Sequence, residues 1–378
     1  MADALGEPAA TAPAGDPTAD SVSAAAGRVP PVPKPPSRLR VIVSVVVGIG
    51  VTVAAFVVLI PQLGSYEQAM VKLGEMPGIW IILLVMVGLL NLLLYPSTVM
   101  VSIDHLRYGP AFVERQAGFL VSNCIPGGGV VAVGAQYRIL GHYGVSPAVS
   151  AAAVTSDAVW TYLITLGLPS VAVTGLALRG DNTGKGAAGL VVLAIVGLLA
   201  VVGSVLVIRF VLKSDNGARR MGRALMRCVA RPCRWLHRDV PDLEVAVVAF
   251  RVRAHDLIKR KWRWLTLTNV LTQLMPFLVV LVALGGLGAY PHDIALAEVF
   301  AAYAVAQLLV SIPITPGGLG TVDAALIAML TAFGVPGPAA VAADLLWRLV
   351  WFLPQMLAGV LALLFSVVAR RRAATAAN

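Results

Sequence analysis

The chain has 378 residues, of which 58% are hydrophobic and only 13% charged, with a mean hydropathy of +0.84. Soluble domains carry roughly 25% charged residues, so a water-soluble globular enzyme is excluded. The net charge of +10 does not mark a nucleic-acid partner, because 14 of the 29 Lys and Arg lie between Lys213 and Arg263, as basic loops between membrane spans do.

Residues 1–37 are rich in Ala, Pro, Ser and Thr without apolar periodicity, and read as a disordered cytoplasmic tail. Residues 38–372 then form one membrane domain, and 373–378 a short tail. The apolar block 39–61 lies too far from the start for an ordinary signal peptide and reads as a retained span. Further full-length blocks fall at about 79–103, 147–178, 187–212, 264–288 and 336–369, each long enough to cross roughly 30 Å of hydrocarbon. Two other apolar stretches, about 110–140 and 296–333, are interrupted by Pro-Gly clusters.

Charge sets the expected orientation. Arg28, Lys34, Arg38 and Arg40 hold the N-terminus in the cytoplasm, and the poorly charged loop at 62–78 is external. Arg107 and Arg115 return the chain inside, with the basic linker 213–263 and Arg370–Arg372 also cytoplasmic. These assignments agree only if each interrupted stretch enters and leaves on one side, as a re-entrant hairpin. The expected fold is therefore an all-α polytopic membrane protein with about six full spans and two re-entrant helical hairpins, eight membrane segments in all. Both termini face the cytoplasm.

The interrupted stretches resemble each other. Pro126-Gly127-Gly128 and Pro316-Gly317-Gly318 are 190 positions apart, as are Gly144-Val145 and Gly334-Val335, while Trp160 and Trp351 differ by 191. The flanking spans run in opposite directions, so repeat one (about 79–178) and repeat two (about 264–369) have inverted topology. In transporters that arrangement places a binding site near the midplane, between broken helices. A duplication kept only for folding is the plainer alternative.

Proline ends the incoming half-helix, and glycine allows positive φ and close backbone approach. The outgoing half-helix starts with free N–H groups and partial positive charge. Two such tips, with Gly320 extending the second, suit an anion such as phosphate. Asp323 follows in the first turn after the second break. Helix-dipole complementation gives about 0.3–1 kcal/mol, against about 2.5–3.5 kcal/mol for a carboxylate at a span's centre. A cation, a proton or a wet cavity is therefore required. Arg348 on the next helix is the natural partner, with Asp344 four residues before it as a local rival.

In the first half, Arg138 either snorkels to the interface or lines the path. Asp157, ten residues into its block, is an intramembrane ionisable group and so a site candidate. Glu298, Glu114 and Arg115 lie near hairpin entrances, and Asn123, Gln136 and Gln307 either line a polar pocket or are satisfied buried amides. Cys228, Cys233 and His237 lack a fourth ligand, so neither a metal nor another cofactor is expected. The segment "DLEVAVVAFRVRAHDLIKRKWRWL" reads as a solvated basic loop or an interfacial helix drawn to anionic lipid.

The stretch "IPITPGGLGTVDAAL", followed by "FGV" and an Arg-containing helix, resembles the signature of the lysylphosphatidylglycerol synthase transmembrane region, or flippase-like, family. The first-half "PGGG…YRIL…YGV" fits it too. Family members usually carry Glu where this chain has Asp323. The resemblance implies a membrane domain acting on phospholipids or other phosphate-bearing lipids. In large bifunctional members that domain flips an aminoacylated lipid made by an attached synthase. Here the chain stops at Asn378 after the last block, so no attached synthase domain is expected. The resulting expectation is a lipid translocase, transporter-like rather than enzymatic, in the cytoplasmic membrane. Its partners would be an anionic or phosphate-bearing lipid and, as alternatives, a separately encoded synthase or glycosyltransferase; an intramembrane lipid-phosphate enzyme is the other rival. The candidate path residues are Pro126, Gly127, Gly128, Arg138, Asp157, Pro316, Gly317, Gly318, Gly320, Asp323 and Arg348.

Overall fold

The computed structural model describes residues 66–124, 128–178, 192, 195–199, 201–203, 205–206, 243–311 and 315–376. The tail 1–37, the block 39–61, the tip residues Pro126 and Gly127, most of the block 187–212 and the linker up to residue 242 lie outside them. Among the described residues the chain is helical, without strands. Among the described residues, four helices are long and apolar enough to cross a membrane: Gly78–Ser102, Pro147–Leu178, Leu257–Gly286 and Gly337–Ser366.

In chain order, α1 is Tyr66–Gly74, α2 Gly78–Leu94, α3 Ser97–Ser102, α4 Tyr108–Cys124, α5 Gly129–His142 and α6 Pro147–Leu178. Then come α7 Leu243–Gly286, α8 Leu296–Val310, a 3₁₀ turn Pro316–Gly318, α9 Thr321–Ala332 and α10 Gly337–Trp347. A π-helical turn Arg348–Phe352 leads into α11, Leu353–Ala376.

Two stretches depart from the sequence reading. The expected external loop at 62–78 contains α1, which sets Ala69 against Val341 and Ala342 of α10. The end of the basic linker is not a separate element, because α7 runs unbroken for 44 residues from Leu243 into the span. At 1.5 Å per residue it is about 66 Å long. Lys261, one turn before the apolar part, donates to Val101 O at 2.9 Å and to Asp104 Oδ1 at 2.5 Å. It thereby takes up a carbonyl left free at the end of α3 and ties α7 to the α3–α4 turn.

The interrupted stretches each form two helices, α4 with α5 and α8 with α9. The second helix of each pair ends the same way. After α5, the N–H of Val145 bonds Leu140 O at 3.1 Å with Gly144 at φ 81°; after α9, Val335 bonds Leu330 O at 3.0 Å with Gly334 at φ 105°. Glycine tolerates that left-handed conformation, and the bond takes up a carbonyl the helix end would otherwise leave bare.

Packing is reciprocal between the halves. α4 lies against α11, and α8 against α6. Both contacts use small residues. A Cβ on Gly359 of α11 would lie 2.5 Å from Gln116 O of α4, and α8 buries Ala301, Ala302, Ala304 and Ala306 completely. Between membrane helices the attraction comes from close packing and interhelical hydrogen bonds, which favours small interface residues. The main core gathers Phe119 and Leu120 of α4, α7, α8, α9 and Trp347–Phe352.

Candidate functional site

The second tip is built by one carboxylate and one guanidinium. Gly317, Gly318 and Gly320 have φ of 61°, 67° and 84°, so the chain reverses through three residues that side chains would strain. The reversal leaves N–H groups at the start of α9 and carbonyls in the turn without helical partners. Asp323 Oδ2 accepts the Gly320 N–H at 2.6 Å. Arg348 donates Nε–H to Asp323 Oδ1 at 2.5 Å, Nη1–H to Gly317 O at 3.0 Å and Nη2–H to Gly318 O at 3.4 Å, and the Thr315 hydroxyl donates to Leu319 O at 2.9 Å. The planar guanidinium reaches an acceptor on each of three sides, which an ammonium on a flexible stem does not do. Arg348 is 1% exposed and lies 5.0 Å from the Trp347 ring centroid and 5.4 Å from that of Phe352.

The cation that Asp323 requires is therefore Arg348, and the guanidinium takes Asp323 rather than Asp344, one helical turn away. Asp323 also occupies the N-terminal position on α9 expected for an anion, so that end is capped from within. The π-turn at Arg348–Phe352 widens the helix where it faces the tip. Such one-residue bulges are common at functional positions.

This tip touches the first half. Gly317 sits so close to Phe352 and α4 that an added Cβ would lie 2.8 Å from Phe352 Cζ and 3.8 Å from Asn123 O. Phe119 of α4 meets Phe352 edge-on at 5.7 Å between centroids. The end of the first incoming helix and the second tip are thus in contact through aromatic rings.

The first half holds a second ion pair, assembled differently. Asp157 of α6 pairs with Arg115 of α4, Nη1 to Oδ2 at 2.7 Å, and both side chains are nearly buried. Asn269 of α7 donates to Asp157 Oδ1 at 3.4 Å and accepts from Thr161 at 3.0 Å. The Arg115 guanidinium lies 4.5 Å over the Tyr95 ring. Beside it, Glu114 is fully buried; it faces Gln136 and the Arg115 charge, and neither carboxylate oxygen has a well-formed hydrogen bond.

Arg115 and Glu114, which the sequence places near the hairpin entrance, are buried against the neighbouring helices. Asp157 was singled out, but its partner is Arg115, and Arg138 makes no ion pair among the described residues. The available signal was a Glu-Arg pair flanked by Ala111, Ala117 and Gly118, small residues suited to a buried face. Gly128 stands at the start of α5, and no acidic residue occupies the first turn of that helix. Among the described residues, the start of α5 therefore lacks an acid of its own like the one that caps α9. Glu298 caps α8, accepting the Ala295 N–H at 2.8 Å. Gln307 donates to Tyr303 Oη at 2.7 Å, and the Tyr303 hydroxyl donates to Gln273 O. Gln273 Nε2 reaches Thr165 Oγ1 at 2.8 Å, completing a polar chain from α8 through α7 to α6.

The family model described as the lysylphosphatidylglycerol synthase TM region matches residues 41–359. No curated protein and no solved structure matches the chain significantly. The match spans both broken-helix stretches, both of these ion pairs and three of the four long apolar helices, and covers the fourth as far as residue 359. The chain belongs to the lysylphosphatidylglycerol synthase transmembrane-region family.

Proposed function

We propose that this protein is a lipid translocase of the cytoplasmic membrane, moving a phospholipid or polyprenyl-phosphate-type lipid between leaflets, with both termini cytoplasmic. The observation that carries this reading is the second tip. Irregular backbone within hydrocarbon survives only where protein or a polar cavity satisfies it. Here, a buried Arg–Asp pair is assigned to that task, which is the construction expected of a broken helix beside a transport path.

Two inverted repeats with re-entrant hairpins form part of the proposal. The matching glycine ends of α5 and α9 at a spacing of 190 support it, as does the reciprocal packing of α4 on α11 and α8 on α6. The π-turn accounts for the change in spacing from 190 to 191 between the glycine ends and the tryptophans, because a π-bulge inserts one residue. Cysteines at positions 179 and 290 are then both labelled from outside; labelling of either from the cytoplasm refutes the inverted orientation.

The tips differ in their proposed roles. Asp323 closes α9, whereas the start of α5 at Gly128 and Gly129, with no acid in its first turn, is the contact assigned here to an anionic headgroup. Arg348 and Asp323 act as the brace of the path, and Arg115 with Asp157 as its counterpart beside the first hairpin. The test is reconstitution in vesicles with fluorescent lipids of different headgroups. Faster protein-dependent movement of phosphate-bearing lipids than of a neutral glycosyl-diacylglycerol supports the headgroup site. Equal rates for both overturn it, and no movement of any lipid refutes the translocase reading for that set.

A further inference from the structure

Packing of α4 on α11 and of α8 on α6 is reciprocal, yet the two sides treat buried amides in opposite ways. Among α6, α7 and α8 the amides are bonded. Asn269, 1% exposed, accepts from Thr161 at 3.0 Å, and Gln307, 5% exposed, donates to Tyr303 Oη at 2.7 Å. Around α4 and α11, three amides at least as deeply buried have no partner at either end among the described residues. They are Asn91 of α2, Gln116 of α4 and Gln355 of α11, each at most 1% exposed.

These three lie along one seam. A Cβ on Gly359 would meet Gln116 O at 2.5 Å, and Gln355 stands one turn before Gly359 on the same face of α11. A Cβ on Gly88 would meet Val350 Cγ1 at 2.7 Å, which sets α2 against the π-turn. Asn91 follows three residues later on that face of α2. One turn beyond Asn91, the Tyr95 ring stands 6.0 Å from that of Phe119 and 4.5 Å from the Arg115 guanidinium. The seam therefore runs along α4 from the second tip, where Gly317 approaches Asn123 O, to the Arg115–Asp157 pair.

A primary amide offers two donors and an acceptor. Unbonded in a dry interface these groups are strongly unfavourable, and polar side chains at membrane depth mark a path or a site. The seam's amides carry no charge, while Arg348 and Arg115 at its two ends are committed to Asp323 and Asp157. A neutral partner that both donates and accepts fits them, and a hydroxyl group does both.

We propose that the α2–α4–α11 seam is a binding track for hydroxyl groups, those of water and of a hydroxyl-bearing lipid headgroup, between the second tip and Arg115. The headgroup half rests on the translocase reading and names a second recognition chemistry for it, beside phosphate at the start of α5.

The test uses the full chain in nanodiscs, with Cys124, Cys228 and Cys233 replaced by serine, and single cysteines introduced as Asn91→Cys, Gln116→Cys and Gln355→Cys. Their reaction with a small membrane-impermeant methanethiosulfonate is compared with that of Ala304→Cys, on the completely buried face of α8. All three are expected to react severalfold faster than Ala304→Cys. Rates at Gln116→Cys and Gln355→Cys no faster than that control mean a dry seam and overturn the track. Where a cysteine variant does not fold, hydroxyl-radical footprinting of wild type replaces it. Met356, 4% exposed and next to Gln355, is then expected to oxidise faster than Met275, 6% exposed on α7; equal or slower oxidation overturns the track. Phosphatidylinositol nanodiscs are expected to slow the labelling severalfold relative to phosphatidylcholine, whose headgroup has a phosphate but no hydroxyl. Equal rates in the two lipids overturn the headgroup half and leave water alone on the track. The near-isosteric Gln116→Met and Gln355→Met are expected to unfold at or above the wild-type temperature while slowing lipid movement severalfold. Unfolding well below wild type, with lipid movement per folded protein unchanged, identifies structural amides and overturns the track. If no lipid moves in vesicles at all, the translocase reading fails while the labelling still decides the seam.

Discussion

Replacing Arg348 by alanine removes the donors of three bonds at once and leaves Asp323 without its cation. The two carbonyl bonds are the smaller part: hydrogen bonds within membranes average about 0.6 kcal/mol in double-mutant cycles. The larger part is the carboxylate, because leaving one partner of a buried pair uncompensated is destabilising by about 3–5 kcal/mol. Asp323 retains only the Gly320 N–H, at 2.6 Å, so most of that effect is expected to appear. Arg348→Lys restores the charge but not the fork, and should recover part of the loss. The assay is reversible unfolding in mixed micelles, read for Arg348→Ala, Asp323→Ala and the double variant. Each single change is expected to destabilise by about 3 kcal/mol or more, and the double variant by little more than either alone. Additive effects, or an Arg348→Ala protein within about 1 kcal/mol of wild type, would refute the reading of this pair as the brace of the tip.

Gly359→Leu forces α4 and α11 apart, since a Cβ there meets Gln116 O at 2.5 Å and Leu120 Cβ at 2.6 Å. Overpacking of this kind lowers stability by about 1–3 kcal/mol, whereas Gly134→Ala, with nothing within 4 Å of its Cβ, should unfold like wild type. Gly317→Ala combines a φ of 61° with a Cβ 2.8 Å from Phe352 Cζ, and is expected to reduce both thermal stability and lipid movement. Asp104, outside the spans, has its carboxyl held below the usual range chiefly by the hydrogen bond from Lys261. A depressed folded value contributes stability above the unfolded value of about 3.9, and that contribution disappears as pH falls through the folded value. The Asp104 side chain is 61% exposed, so the effect stays below about 1 kcal/mol. Thermal unfolding of wild type against Asp104→Asn from near neutral pH to below about pH 4 should converge at the acid end.

The breaks in the helices were legible because proline and glycine act locally. Pro316, Gly317, Gly318 and Gly320 announce a reversal through the missing donor of one and the left-handed freedom of the others. Asp323 was equally visible, since a lone acid in an apolar run demands a partner, and Arg348 was the cation on the next helix. The burial of Arg115 is not legible, because position near a span's end and burial in a helix interface look alike in one dimension. Only the packing of α4 against α5 and α11, and the Arg115–Asp157 pair that reaches α6, distinguish them. The continuity of α7 was hidden for a related reason. Basic residues and tryptophans at Lys259–Trp264 suit a membrane-surface helix, and nothing local reveals that the same helix continues inward. The separate tasks of the two tips became apparent only from hydrogen bonds, with Asp323 closing α9 and no acid in the first turn of α5.

The most direct measurement of the translocase reading is the accessibility of fluorescent phospholipid to a membrane-impermeant reductant in vesicles containing the purified chain. Protein-free vesicles protect the inner-leaflet half of the label. With wild-type protein, nearly all label is expected to be reduced, and Arg348→Ala should restore much of the protection. If wild-type vesicles keep the inner half protected, with or without a pH gradient and across the phosphate-bearing lipids tried, the protein does not move those lipids and the account is contradicted.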